Sequence, residues 1–229
     1  GPYALYLVDK TAYLPHFYVA NELVPYKNIV NDWYGSSVSF FVGNTSKQTR
    51  VMYVEREVCN GALSKKACSQ KIAYDERMIP RIQFEKINPV KYKVKVFGAK
   101  KDYFLVFSEA FHRNWKVFLV NSLPQESKSI KTYYNGDIEE GDHKNIFFNR
   151  NTFETLKMKS LSQNRHVIVN GYANGWNIIP SDVGKRENYE FIIEMTGQRI
   201  FYVGLAVSLF TFILCVIWGI WLLLKAKHR

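Results

Sequence analysis

The stretch IFYVGLAVSLFTFILCVIWGIWLLL, residues 200–224, runs for twenty-five residues without a charged side chain. At about 1.5 Å of rise per residue, a helix of this length spans roughly 37 Å and can cross a hydrocarbon core of about 30 Å with some tilt. Buried helices of soluble proteins rarely continue past about 20 residues without a charge. The stretch therefore predicts one transmembrane α-helix at residues 199–224, preceded by a domain held at a membrane surface.

The flanks of this helix carry residues that membrane interfaces favour. Amphipathic rings lie toward its two ends, at Tyr202, Trp218 and Trp221. A basic tail, residues 225–229, closes the chain and is predicted to be cytoplasmic. Three Lys or Arg residues lie within about 20 residues of each end of the helix, so charge bias alone does not orient it. The side of the membrane on which residues 1–198 lie is therefore inferred from the cysteines.

Cys59 and Cys68 flank the polar segment NGALSKKA, which predicts an exposed loop. A disulfide between them would close this loop, stabilise the fold by about 2 to 3 kcal/mol and place residues 1–198 in an oxidising, extracytoplasmic compartment. Two free thiols are the alternative. Cys215 lies in the apolar run and is expected to pack as a small hydrophobe. CxxC spacing is absent and no histidines cluster nearby in sequence, so no metal site is predicted.

The composition of the 229-residue chain, 47% hydrophobic and 16% aromatic, is sufficient for one sizeable core in addition to the helix. Outside the helix and the tail, 28 Lys and Arg residues stand against 20 Asp and Glu, a net charge of +8. This excess is scattered, which suits anionic head groups or an anionic cell-surface polymer. Nucleic acid is not an expected partner because no recognition motif is present. The chain opens on Gly1-Pro2, which we interpret as the start of a processed product or of the C-terminal piece of a longer protein.

Most of the chain before the helix shows the pattern of short strands separated by turn signals. YKVKV, residues 92–96, alternates Tyr and Val on one face with Lys on the other, which predicts one packed and one wet face. The continuous apolar run Tyr103–Phe107 predicts a central strand. Other predicted strands are HFYVA (16–20), RVMYVEREV (50–58), RIQFEKI (81–87), WKVFLV (115–120) and ENYEFIIEMTG (187–197). About nine such strands predict a mainly β fold, an antiparallel jelly-roll-like β-sandwich followed by the transmembrane helix.

Two segments of the chain share one pattern. In LVFSEAFHRNWKVFL and in VIVNGYANGWNII, an apolar strand is followed by an aromatic residue, by a Trp four residues later, and by another strand. The aromatic residue and the Trp are Phe111 and Trp115 in the first segment, and Tyr172 and Trp176 in the second. Each segment therefore predicts a strand, a turn and a return strand.

These segments, together with INPVKYKVKVFGA before them and a last strand that runs into a hydrophobic helix, resemble the C-terminal end of large polytopic bacterial membrane proteins of the glycosyltransferase-C type, including the YfhO-like and arabinofuranosyltransferase-like groups. YLPHFYVA, residues 13–20, resembles the opening strand of the same module. The resemblance implies a carbohydrate-binding-module-like extracytoplasmic β-sandwich at 1–198, a transmembrane helix at 199–224 and a cytoplasmic tail at 225–229. The acidic catalytic residues of such enzymes lie in early membrane loops that have no counterpart here, so no catalytic residue is assigned.

Aromatic rings and polar side chains at strand ends have the composition of a sugar site, because a sugar stacks its C–H face on Trp or Tyr while Asn, Asp and Glu satisfy its hydroxyls. The candidate glycan-binding residues are Trp33, Tyr34, Glu109, Asn114, Trp115, Asn170, Tyr172, Asn174 and Trp176. Trp and Tyr at the corners of a β-sandwich also serve as core closures, and this alternative stays open. Glu109 and His112 share one turn, where hydrogen bonding within the turn is expected rather than acid–base catalysis.

The predicted function is that of a non-catalytic, membrane-anchored accessory domain of a glycosyltransferase-like membrane protein, positioning glycan or lipid-linked sugar without a cofactor. Its partners would be the lipid bilayer, a sugar and other transmembrane helices of a longer parent chain. The alternative is a structural or interaction module of a single-helix-anchored cell-surface protein. Such a module would dock through the helix face bearing Gly204 and Ser208, which have small-xxx-small spacing. A surface hydrolase is a weaker third reading, because it needs convergent carboxylates that the sequence does not locate.

Overall fold

The structure is a computed structural model that describes residues 16–26, 50–55, 72–73, 75–120 and 153–227. Its contacts separate two compact units, which meet in the chain between Glu194 and Met195. The predicted sugar contacts of Trp33 and Tyr34 and the predicted disulfide between Cys59 and Cys68 lie outside the described residues.

Within the described ranges, eleven strands form three sheets. The first sheet contains, in spatial order, β1 (Phe17–Val19), β7 (Tyr103–Phe107), β10 (Ala173–Ile178) and β9 (His166–Val169). The second sheet contains β5 (Arg81–Asn88), β6 (Lys91–Phe97), β11 (Tyr189–Met195) and β8 (Trp115–Val120). The third sheet contains β3 (Val51–Glu55), β2 (Glu22–Tyr26) and β4 (Ile72–Ala73). Short 3-10 helices lie at Glu76–Met78, Glu154–Lys157, Gln163–Arg165 and Pro180–Val183.

An aromatic core joins the first sheet to the second. Phe17 on β1 stacks on Phe107 on β7, with ring centroids 4.3 Å apart. The ring of Phe17 also lies 5.4 Å from that of Tyr92 on β6, and Trp115 on β8 packs edge-on against Phe107 at 4.9 Å. Aromatic pairs at these distances gain stability beyond their buried area. The two four-stranded sheets therefore pack face to face, and the predicted mainly β sandwich is confirmed.

The third sheet covers the opposite face of the first sheet. Phe17 and Phe107 face the second sheet. Tyr18 on β1 and Val106 on β7 are their neighbours in sequence, so strand alternation turns these two side chains toward the third sheet. There they share a buried cluster with Leu23 on β2 and Met52 on β3. The first sheet is thus buried on both faces, and all five residues of β7 are buried, which confirms the predicted central strand. The sequence did not predict this third layer.

The third sheet departs from the antiparallel pattern. β2 pairs with β3 in parallel, and it pairs with β4 antiparallel at Glu22 and Leu23. Pro25 lies beyond the residues that β4 reaches in the described part of the chain. Pro25 is opposite Val54 of β3, and it lacks the backbone N–H that another residue would offer to a ladder hydrogen bond. Pro25 interrupts the apolar run of this segment in the sequence, and the strand continues through it.

The hairpin between β9 and β10 follows from its Asn-Gly dipeptide. Asn170 and Gly171 have φ angles of 54° and 76°, and the N–H of Tyr172 donates to the carbonyl of Val169 at 3.1 Å. Positive φ at both central residues defines a turn whose twist matches the flanking strands, and Asn-Gly is the dipeptide that adopts it most readily. The turn places Tyr172 at the start of the return strand.

The Lys face of β6 is partly buried, whereas the alternation predicted a wet face. Lys91 is buried, and Lys93 and Lys95 are half-buried. On the neighbouring strand β11, Glu190 and Glu194 stand opposite Lys95 and Lys91. Acidic partners across the ladder make burial of this face tolerable, a feature that the alternation of one strand does not reveal.

The helix α1 (Gln198–Lys227) has 30 residues and a mean hydropathy of 2.6 over its most apolar part, so it is long and apolar enough to cross a membrane. Its type and place confirm the predicted helix. Trp218 and Trp221 lie 5.5 Å apart, and the Nζ atom of Lys225 lies 4.9 Å above the ring of Trp221. These three residues share one face near the end of the helix, because they are spaced by three and four positions.

Candidate functional site

Two turns meet at one end of the first sheet. The segment 108–114 connects β7 to β8, and residues 170–172 connect β9 to β10. The N–H of Phe111 donates to the carbonyl of Tyr172 at 2.6 Å, which ties the two turns together. We call this surface the two-turn surface, and it brings together the two segments that share a pattern in the sequence.

The buried side chain of Asn174 holds the two-turn surface in place through hydrogen bonds. Its side chain is fully buried on β10, and its Nδ2 atom donates to the carbonyls of Glu109 at 2.8 Å and Ala110 at 3.3 Å. Its Oδ1 atom accepts from the N–H of His112 at 3.3 Å. One side-chain amide therefore provides hydrogen-bond partners for three backbone groups of the 108–114 segment. These groups would otherwise need partners from a helix, a strand or water.

His166 completes this network from the neighbouring strand. Its Nε2 atom lies 3.0 Å from Oδ1 of Asn174, and its Nδ1 atom lies 3.1 Å from Oε1 of Gln163. Because Nδ2 of Asn174 donates to two carbonyls, its Oδ1 is an acceptor, and Nε2 of His166 must carry the proton. Nδ1 is then an acceptor, so a hydrogen bond to Gln163 requires its side-chain amide to be turned to present the nitrogen in place of Oε1. Burial lowers the pKa of His166 to about 4, against a smaller opposing contribution from Asn174, so the ring is neutral near pH 7.

The two tryptophans of the shared pattern lie in the core. Trp176 is 2% exposed and Trp115 is 4% exposed. One face of the Trp176 indole is covered by the imidazole of His166, whose centroid lies 4.5 Å away. Trp115 packs against Phe107 and Tyr92. Neither indole offers a free face for stacking in this structure, which agrees with the core-closure alternative for these two residues.

Tyr172 has the opposite placement. It is 53% exposed, and its backbone is held by hydrogen bonds on both its N–H and its carbonyl. An aromatic ring that is open to solvent on a hydrogen-bonded turn is suited to receive the flat face of a sugar. Of the predicted aromatic contacts that the structure describes, Tyr172 is the one that remains available.

Glu109 belongs to the 108–114 segment of the two-turn surface, and its carboxylate faces the partly buried His16. Its Oε1 atom lies 3.4 Å from Nε2 of His16, and its side chain is 41% exposed. Burial, with a smaller contribution from Lys86, lowers the pKa of His16 to about 4, while burial raises the pKa of Glu109. Because the neutral imidazole is favoured near pH 7, this contact is not a full ion pair, and the carboxylate keeps acceptor capacity for a ligand.

Asn170 and Asn114 hold turns. Oδ1 of Asn170 accepts from the N–H of Tyr53 at 2.9 Å, and its Nδ2 donates to the hydroxyl of Tyr18 at 2.8 Å, so it links the first sheet to the third. The N–H of Asn114 donates to Nδ1 of His112 at 3.1 Å, which confirms that hydrogen bonding within this turn occupies His112. Asn170 is buried, whereas Asn114 is partly exposed.

Sequence reasoning missed His16 and His166, which both contribute to this end of the sheet. Each is a single histidine next to an apolar strand, and neither has a neighbouring His, Cys or carboxylate in sequence at a recognisable spacing. Their partners come from distant segments, so no local signal could have found them. In the part of the chain that the structure describes, no group of His, Cys, Asp and Glu side chains is arranged to hold a metal ion.

Comparison of the chain with protein-family models, with curated proteins and with solved structures found no match.

Proposed function

We propose that this chain is a non-catalytic, membrane-anchored accessory module of a glycosyltransferase-like membrane protein, and that it positions a glycan or a lipid-linked sugar. The observation that carries this proposal is the exposed ring of Tyr172 on a turn that is hydrogen-bonded to the segment bearing Glu109. A ring for the C–H face of a sugar and a carboxylate for its hydroxyls are the two elements that sugar recognition needs.

The support beneath this surface is rigid. Asn174 satisfies the backbone of the 108–114 segment, and the ring of His166 fixes Asn174 in turn. Both residues lie on strands of the first sheet, which is buried on both faces. A surface ordered before binding loses less conformational entropy when a ligand arrives. A mobile loop of the same composition would bind the same sugar more weakly.

The helix α1 supplies the anchor in this proposal. We place the β-sandwich on the extracytoplasmic side of a cell membrane and the basic end of the chain in the cytoplasm. Because Lys and Arg are balanced at the two ends of the span, this orientation rests on the predicted disulfide between Cys59 and Cys68, which would need an oxidising compartment. Protease treatment of intact cells tests it, because it should degrade the sandwich and spare a tag fused after Arg229. A protected sandwich with a digested tag would reverse the orientation.

A glycan array tests the sugar proposal. The full chain in lipid nanodiscs should bind a subset of glycans, and Tyr172→Ala should raise the Kd about tenfold, because it removes the stacking ring and costs roughly 1.4 kcal/mol. Tyr172→Phe, which keeps the ring, should bind as the parent chain does. A folded chain that retains no glycan, or binding that is unchanged by Tyr172→Ala, would refute the proposal.

The second candidate function is a structural or interaction module anchored by one helix. It is favoured by the side chains of α1, which are exposed along most of its length and include Gly204 and Ser208 at small-xxx-small spacing. Gly204→Leu should then reduce association with partner helices in detergent, measured by light scattering or by co-purification of a membrane partner. Gly219→Leu, at the other end of the helix, is the matched control. Equal association of both variants would count against this function.

A further inference from the structure

A buried group of three reactive side chains lies on the outer face of the second sheet, away from the two-turn surface. Lys91 on β6 and Glu194 on β11 stand directly opposite each other in the ladder, and Lys91 Nζ lies 3.4 Å from Glu194 Oε2. The hydroxyl of Thr155, from the 3-10 helix Glu154–Lys157, donates to the same carboxyl oxygen and lies 3.4 Å from Lys91 Nζ. We call these three residues the Lys91 cluster.

Burial separates the Lys91 cluster from ordinary cross-strand ion pairs. The side chain of Lys91 is 2% exposed and Thr155 is fully buried. Two full charges are expensive in such a site, and transfer of one proton from the ammonium to the carboxylate leaves a neutral amine beside a neutral carboxylic acid. A neutral buried lysine is a nucleophile, and a neutral carboxyl group is the form that can accept its attack. An amide forms from this neutral pair, which burial makes more accessible than it is in water.

The ladder holds these two groups in place. Intramolecular reactions between well-oriented groups reach effective concentrations of about 10⁵ to 10⁸ M, with reacting atoms roughly 3 to 3.5 Å apart. A site without bulk water also favours a condensation that releases water over the reverse hydrolysis. The next pair on the same face, Lys93 with Glu190 at 3.6 Å, is more open, since the Lys93 side chain is 23% exposed. The Lys93–Glu190 pair is therefore an internal control for the Lys91–Glu194 pair in the same sheet.

A second carboxyl group is positioned to move the protons. Glu154 adjoins Thr155, its buried Oε1 atom has no hydrogen-bond partner among the described residues, and it interacts electrostatically with Lys91 and Glu194. Burial raises the pKa of Glu154, which brings it closer to the working range of a general acid and base. A carboxyl group with a raised pKa can relay a proton from the attacking amine to the departing hydroxyl once it is within hydrogen-bond reach of both.

We propose that Lys91 and Glu194 are joined by an intramolecular amide bond in the mature protein. The lone pair of Lys91 Nζ attacks the carboxyl carbon of Glu194, and a nitrogen–carbon bond forms. One carbon–oxygen bond breaks, and the oxygen leaves as water with one proton from the amine and one from the carboxylic acid. No oxidant, reductant or activating nucleotide is consumed. Thr155 orients the carboxyl group, and Glu154 relays the proton.

The position of this bond has a mechanical consequence. Glu194 lies near the end of β11, the last strand, and the chain continues from there into α1 at Gln198. A pull on the membrane anchor along the chain therefore reaches the sandwich through β11. An amide to Lys91 would prevent β11 from being drawn out of the second sheet, which hydrogen bonds alone resist only up to the force that unzips them.

Intact-mass measurement of the full chain, purified in detergent and fully reduced, tests the proposal. The mass should be lower than the sequence mass by one water, and digestion should yield a branched peptide that joins residues 91 and 194. Lys91→Arg should restore the full sequence mass, because a guanidinium does not attack. Lys93→Arg, at the more open pair, should keep the loss of water. Glu154→Gln should slow the appearance of the branched peptide at least tenfold.

A parent chain with its full sequence mass and an unmodified Lys91 peptide would overturn the proposal and leave the cluster as a buried ion pair. This result does not depend on whether any variant folds. A loss of water that digestion maps elsewhere, for example to an aspartate in a turn, would overturn it equally. Neither outcome bears on sugar binding at Tyr172, so the two proposals fail separately.

Discussion

The imidazole of His166 lies parallel to the indole of Trp176, with ring centroids 4.5 Å apart and an angle of 13° between the planes. The same imidazole reaches Asn174 through Nε2, so one ring closes the core over the tryptophan and also supports the turn above it. This arrangement explains why Trp176 is part of the core, although the residues around it in sequence resemble those of a sugar site. The polar residues around it hydrogen-bond to the turn, and among the predicted aromatic contacts that the structure describes, Tyr172 is the exposed one.

Trp176→Ala should destabilise the fold by about 3 to 5 kcal/mol, because it opens a cavity between His166 and Phe107. Tyr172→Ala, at an exposed position only four residues away, should change stability by less than about 0.5 kcal/mol. Urea denaturation followed by intrinsic fluorescence measures the difference. Equal losses of stability in the two variants would contradict the placement of the two rings.

Asn174→Ala should cost about 2 to 4 kcal/mol, since two carbonyls and one N–H of the 108–114 segment would lose their partner. The segment should also become a site of limited proteolysis while the rest of the sandwich stays resistant. Asn164→Ala, at an exposed position in a neighbouring turn, is the control and should be nearly neutral. Unchanged protease sensitivity in Asn174→Ala would show that the segment is held by other contacts.

Stability should fall as the pH decreases from about 6.5 to about 4. Burial lowers the pKa values of His16 and His166 to about 4 in the folded chain, from an ordinary value of 6.5. Between these values the unfolded chain binds more protons than the folded chain, so the free energy of unfolding rises with pH. The contribution is fully present above about pH 6.5 and is lost as the folded histidines become protonated.

Denaturant unfolding at pH 7, 6 and 5 measures this slope. His166→Gln removes one of the two titrating groups, so its stability should depend less steeply on pH than that of the parent chain, even if it is less stable at pH 7. A parent chain whose free energy of unfolding is the same at pH 7 and pH 5 would contradict both lowered pKa values.

Gly175→Ala should destabilise the fold by about 1 to 3 kcal/mol, because overpacking forces neighbouring atoms apart. A Cβ atom at Gly175 would lie 2.6 Å from Cγ1 of Val169 on the adjacent strand β9. Val169→Ala removes that atom, so the double variant should lose less stability than the sum of the two single variants. Additive losses would show that the clash is relieved by movement of the backbone instead.

Phe212→Arg should disfavour membrane insertion of α1 by about 2.5 to 3.5 kcal/mol, because the charge would stand near the middle of the apolar run. Alkaline extraction of membranes separates inserted from peripheral chains, and the variant should shift toward the extracted fraction. Phe212→Leu is the control and should remain inserted. An extracted parent chain would contradict the membrane span itself.

Local patterns predicted the strands closely where the chain alternates or runs apolar. Tyr103–Phe107 and Trp115–Val120 have the predicted bounds, and Lys91–Phe97 differs by one residue at each end. β2 was missed because Pro25 interrupts its apolar run, although Pro25 pairs with Val54 of β3 in the sheet. The partly buried Lys face of β6 was missed because its acidic partners lie on β11.

The candidate site was predictable in composition but not in arrangement. The repeated aromatic-x-x-x-Trp pattern indicated that two turns are related, and the structure brings these turns into contact. Which aromatic ring stays open was not readable, because a Trp at a strand corner has the same sequence signature whether it faces a ligand or a histidine from another strand. His166 covers Trp176 only because β9 and β10 pair in their observed register.

The sequence by itself determined the strands of the sandwich and the membrane-length helix, because periodicity, β-branched and aromatic content and an uncharged run of 25 residues are properties of neighbours in the chain. Only the tertiary structure decided the third layer, the burial of Trp115 and Trp176 and the pairing of Lys91 with Glu194. The hydrogen bond from Asn170 to Tyr18 joins residues 152 positions apart. Contacts of this kind depend on how sheets stack and in what register strands pair, and these choices leave no local pattern in the sequence.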